Sequence, residues 1–125
     1  MDYFITLEEI LLTSEPKYKI QKFRIFYEKF LNNDFTFNDS YEPYTLNKPS
    51  YFSFLQIVKP TDLPKIKNFN TIEGKKYLVH TILHIEYSAI DLALDAALRY
   101  KNMPIKYYKD WLEVADDEIR HFLML

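Results

Sequence analysis

At 125 residues, with 16 basic and 18 acidic side chains, the chain has room for one small domain and carries a net charge of -2, which gives no global electrostatic reason for nucleic acid to be its main partner. It has no cysteine, so disulfides, thiolate chemistry and zinc ribbons are excluded, and any metal must be held by the three histidines and the carboxylates, donors suited to iron or manganese. The longest apolar runs are too short to cross a membrane, and Asp2 after Met1 does not open a basic-then-apolar leader, so a cytoplasmic location with no membrane partner is expected.

Taken in chain order, Thr6-Leu7-Glu8-Glu9 reads as the start of a short helix, with a hydroxyl for the first amides and acids near the positive end of the dipole. Thr13, Ser14 and Pro16 end it. A second helix is predicted over 17–31, where Ile20, Phe23, Phe26, Tyr27 and Phe30 recur at three- and four-residue spacing and Lys17, Lys22, Arg24 and Lys29 form a solvated face. Asn, Asp and Ser clusters with Pro43, Pro49, Pro60 and Pro64 argue against long helices over 32–69. The aromatics of this stretch, from Phe35, Phe37 and Tyr41 to Phe52 and Phe54, predict a long loop that wraps the helices.

The remaining chain, 70–125, reads as two helices. Asn70 and Glu73 stand at capping-box spacing, and a long helix can run to about Lys101. Projected at about 100° per residue, Val79, Ile82, Leu83, Glu86, Ala89, Ile90, Ala93, Leu94 and Ala97 share a face centred on Glu86. Tyr100-Lys101-Asn102 and Pro104 make a short connection, so the next helix is an antiparallel neighbour. Its expected face holds Tyr107, Trp111, Val114, Ala115, Glu118, His121, Phe122 and Leu125.

A carboxylate among apolar groups costs several kcal/mol unless it is compensated, and a cation does so directly. Bundles of the ferritin type take one Glu from each of two helices and a Glu-x-x-His from each of two others. Glu86 together with Glu118 and His121 is one of each, so these three are the expected metal ligands and form half of a di-iron carboxylate site. The plainer alternative makes the two Glu surface residues, or partners of Arg120 or a lysine. His80 and His84 lie about 120° and 160° around the helix from Glu86, so they do not ligate there. His84 and Asp117 are expected behind the ligands, Asp117 by hydrogen bonding the His121 ring. With one glycine there is no phosphate-binding loop.

The run from Leu83-His84-Ile85-Glu86 to Asp95, Met103-Pro104, Tyr108-Lys109-Asp110-Trp111 and Glu118-Ile119-Arg120-His121-Phe122 resembles an uncharacterised bacterial ferritin-like family of the di-iron carboxylate type. The resemblance is specific over about 70–125. It implies an all-α fold: a ferritin-like antiparallel helix hairpin, half of a four-helix bundle, preceded by short helices and the wrapping loop. The chain is then a single domain, 1–69 being the N-terminal helices and wrap and 70–125 the helix pair. Members of that family continue with two more helices bearing the second Glu and second Glu-x-x-His. The expectation is therefore either a homo-oligomer that completes the bundle by pairing or a chain that lacks its C-terminal half.

Iron, as a di-iron or iron–manganese pair, is expected only when the second half-site is supplied. An oxidase- or oxygenase-like activity follows from such a site. Metal binding without turnover, or a truncated non-catalytic piece serving in oligomerisation, are the alternatives. A distant likeness to tRNA-hydroxylating di-iron enzymes leaves a tRNA substrate open.

Overall fold

The computed structural model describes residues 1–38, 40–42 and 70–125, and over these the chain is all-helical. Its elements are α1 (Tyr3–Leu12), α2 (Pro16–Leu31), α3 (Ile72–Arg99) and α4 (Ile105–Leu123). No strand occurs among the described residues, and one isolated parallel bridge joins Asp2 to Thr36. No helix among them is long and apolar enough to cross a membrane.

The first helix starts four residues earlier than the Thr6 capping signal predicts. The Asp2 carboxylate accepts from the Ile5 amide at 2.8 Å and caps the helix there, and the Tyr3 amide donates to Thr36 O at 2.9 Å. That earlier start turns Tyr3, Phe4, Leu7, Ile10 and Leu11 into the core. The second helix opens with Pro16 in its first turn and buries Ile20, Phe23, Phe26 and Phe30, as their spacing requires. Lys19 is buried with them.

Thr71, rather than Asn70, caps α3, its hydroxyl accepting from the Gly74 amide at 3.0 Å. At the other end Asn102, with φ of 60°, takes the left-handed turn that sends the chain back into α4. Tyr108 secures this corner by donating to Tyr100 O at 2.7 Å. The two long helices form an antiparallel hairpin, the most extensive pairing among the described elements.

The face that α3 and α4 bury overlaps the one the sequence pattern singled out, sharing Ile90, Ala93, Leu94, Ala97 and Ala115, but is rotated from it. On α3 the buried residues are Tyr87, Ile90, Asp91, Ala93, Leu94, Ala97 and Leu98. On α4 they are Tyr108, Leu112, Ala115 and Ile119. Glu86 and Glu118 stand on the flank of these stripes, and Val79, Trp111, Val114 and Leu125, expected inside, are between 36% and 48% exposed. The cause is α1 and α2, which pack on the Asp91 side of the hairpin. Tyr3 donates to Ala97 O at 2.9 Å, Tyr87 donates to Ser14 O at 3.1 Å, and Lys19 reaches Asp91 at 2.5 Å.

The described part of the expected aromatic wrap does anchor. Phe35 stacks on Phe30 and packs against Phe37, while Tyr41 stacks on Phe4 with centroids 5.6 Å apart. The rest of that expectation, including Phe52 and Phe54, lies outside the described residues.

Candidate metal centre

Tyr87 and Phe122, the residues that follow Glu86 and His121, meet in the interior with ring centroids 5.3 Å apart. Because successive helical residues point about 100° apart, this contact turns Glu86 and His121 out to the flank of the hairpin and sets them level with each other. Glu118, one turn before Phe122 on α4, joins them. Ligand atoms of Glu86, Glu118 and His121 all lie within 4.8 Å of one another, so the three residues read as one cluster from the sequence are one cluster in space.

His121 Nδ1 faces Glu118 Oε2 at 3.6 Å and Glu86 Oε2 at 3.7 Å. Both separations exceed a hydrogen bond. They match the spacing of donors around one cation, since ligands about 2.1 Å from an ion lie about 3–4 Å apart. The carboxylate side chains are only 23% exposed, whereas the imidazole is 56% exposed. Glu86 Oε2 is buried and has no hydrogen-bond partner among the described residues. The Glu86 carboxyl is pushed above its ordinary range, first because the Glu118 carboxylate can accept a hydrogen bond from its protonated form, then by burial and the like charge of Glu118, with His121 pulling the other way. Two carboxyls this close share a proton or need a cation between them.

The other residues expected near the site lie elsewhere. His84 is half-buried on α3, and the hydroxyl of Ser88 donates to its carbonyl at 2.9 Å; its side chain projects about 160° away from that of Glu86. Asp117 is held by Arg120, one turn on, and the same guanidinium reaches Asp116 at 3.4 Å. Among the described residues the partner that Asp117 meets is Arg120. His80 lines an apolar groove with Val79 and Leu83 that starts one helical turn before Glu86.

A buried ion pair escaped the sequence reading. Lys19 Nζ meets Asp91 Oδ1 at 2.5 Å, donates to Leu11 O at 3.1 Å and stands 5.4 Å from the Tyr87 ring centre. Its signal was present: Lys19 falls in line with Phe23, Phe26 and Phe30 on the buried stripe of α2, and Asp91 interrupts the apolar stripe of α3.

A family model matches residues 12–125, which takes in most of the described fold and all three clustered residues, Glu86, Glu118 and His121. The chain belongs to the DUF455 family. That family is described as "Protein of unknown function (DUF455)". An uncharacterized protein of Haemophilus influenzae is 42% identical to this DUF455 chain over 76 residues, which are 55% of this chain and 26% of the relative. The chain thus spans about a quarter of the length of the curated relative it matches. No solved structure matches it.

Proposed function

We propose that this DUF455 chain is a metal-binding, ferritin-like protein that carries half of a di-iron carboxylate centre, with Glu86 from α3 and Glu118 and His121 from α4 as its ligands. The observation that supports this most directly is the convergence of the three donor groups around a buried carboxylate oxygen that has no other partner among the described residues. An oxygen so placed is costly unless a cation or a proton sits on it.

The donor set fits hard or borderline cations. Two carboxylates offer four oxygens, enough to ligate and to bridge, and one imidazole offers a neutral nitrogen, a combination that suits iron or manganese. Iron held there would supply oxidase- or oxygenase-type redox chemistry. The chain's own part is to hold Glu86 and Glu118 level across two helices, through the Tyr87–Phe122 contact, and to keep both carboxylates mostly out of water. His121 is the more exposed member, so its ring is free to turn toward an arriving ion.

Elemental analysis of protein loaded with Fe(II) without oxygen tests the reading. Wild type should retain iron after desalting, and Glu118→Ala and Glu86→Ala should each reduce the retained iron at least tenfold while leaving the helical content intact. Equal iron in wild type and Glu118→Ala would remove these residues from the site.

A further inference from the structure

The cluster sits far from the corner that joins its two helices. At about 1.5 Å per residue, Glu86 lies about 20 Å along the axis from Arg99, the last residue of α3. The turn at Asn102 sends α4 back along α3, but over that length a tilt of about 5° between the helices displaces Glu118 and His121 by about 2 Å. Ligands have to be held to within about 0.5 Å, so the spacing must be fixed at the cluster's own end of the hairpin.

Tyr87 packs at that end. Its side chain is fully buried, and its ring meets Phe122 with centroids 5.3 Å apart and planes at 56°. Tyr87 follows Glu86 and Phe122 follows His121, so the contact is one residue from the cluster on both helices. The ring is in turn held from α1 and α2. The Tyr87 hydroxyl donates to Ser14 O at 3.1 Å, and Lys19 Nζ stands 5.4 Å from the ring centre. Lys19 itself donates to Leu11 O and pairs with Asp91, one turn after Tyr87 on α3. Leu11, Ser14 and Lys19 belong to the junction of α1 and α2, so one short stretch grips α3 at two successive turns beside the cluster. A hydrogen bond at the tip of the phenol and a cation on its face fix the orientation of the ring.

We infer that Tyr87 is a positioning residue for the metal cluster: through it the α1–α2 junction sets the distance between Glu86 on α3 and Glu118 and His121 on α4. The inference rests on the metal reading above and adds what tunes that site. Tyr87 touches no ligand atom of the cluster and acts by fixing where α4 lies against α3. Groups that orient ligands without touching the ion commonly carry about 10–100-fold in metal affinity. The N-terminal helices are thus part of the site although the three clustered donors come from α3 and α4. Tyr3 offers the contrast. Its hydroxyl donates to Ala97 O at 2.9 Å and also ties α1 to α3, but about 16 Å along the helix from Glu86. A bond there secures the fold near the corner and leaves the spacing at the cluster alone.

Co(II) titration of the full chain, followed by visible absorption, reads affinity and ligand geometry together, with circular dichroism as the check on folding. Tyr87→Phe keeps the ring and removes the bond to Ser14 O. Its Co(II) affinity should fall at least fivefold and its absorption bands should shift. Tyr3→Phe, which loses a comparable buried bond, should match wild type in both. Replacing Lys19 by Met and Asp91 by Leu together removes the cation from the ring by a second route, and this double variant should behave as Tyr87→Phe. Wild-type affinity and bands in folded Tyr87→Phe or in the folded double variant overturn the inference and leave the ligand assignment standing. Equal losses in Tyr3→Phe and Tyr87→Phe do the same, since they mark a general effect of stability. A wild-type chain that binds no Co(II), or Glu118→Ala that binds it as wild type does, overturns the metal reading and this inference with it.

Discussion

Lys19 Nζ and Asp91 Oδ1 meet at 2.5 Å in the interior, joining α2 to α3 across 72 positions of sequence. Lys19 is fully buried, and burial pulls its ammonium below the ordinary lysine range while Asp91 pulls it back up. Together with the Leu11 carbonyl and the Tyr87 ring, the pair ties the N-terminal helices to the Asp91 side of the hairpin. Removing one partner of a buried pair strands the other charge and typically costs about 3–5 kcal/mol, whereas apolar replacement of both is often neutral. Lys19→Met alone and Asp91→Leu alone should each destabilise by about that amount in urea denaturation. The double variant should recover most of the loss.

The two helix faces of the hairpin make opposite predictions on α4. Leu112 is fully buried, so Leu112→Ala should cost about 2–5 kcal/mol of stability. Trp111, the neighbouring position on the other face, is 36% exposed, and Trp111→Ala should cost about 1 kcal/mol despite the larger side chain. Thermal denaturation of the two variants at low protein concentration compares them directly. A larger loss for Trp111→Ala would mean that α4 buries the face its sequence pattern suggests.

The raised pKa of Glu86 gives the metal-free protein a pH signature. The ordinary value is 4.5, and the folded value lies above it because Glu118 can accept a hydrogen bond from the protonated Glu86 carboxyl and burial disfavours the charge. Between those two values the folded chain holds more proton than the unfolded one. Stability from this source is therefore full below 4.5 and lost as pH rises through the folded value. Relative to Glu86→Gln, which cannot ionise, metal-free wild type should lose stability as pH is raised from 4.5 toward neutrality. A pH-independent difference between the two proteins would show that Glu86 titrates as an ordinary acid.

The early start of α1 also has a measurable cost attached. Asp2 is its cap, and losing a capping carboxylate usually costs about 1 kcal/mol. Asp2→Ala should lower stability by about that much, while Thr6→Ala should have a smaller effect. Paired urea titrations distinguish them.

The sequence by itself determined α2, α3 and α4 and the clustering of Glu86, Glu118 and His121. Short-range rules suffice for both: three- and four-residue spacing for α2, α3 and α4, a short turn between the last two, and a Glu-x-x-His opposite a Glu on antiparallel neighbours. The tertiary structure decided which face of each helix is buried. α3 and α4 each carry two apolar stripes, one through Tyr87, Ile90, Leu94 and Tyr108, Leu112, Ile119, the other through Val79, Ile82, Ala89 and Trp111, Val114, Leu125. Periodicity weighs the two almost equally, because each satisfies the helical repeat. The choice is made by contacts between residues far apart in the chain, Tyr3 with Ala97, Tyr87 with Ser14 and Lys19 with Asp91, whose energies no local pattern contains.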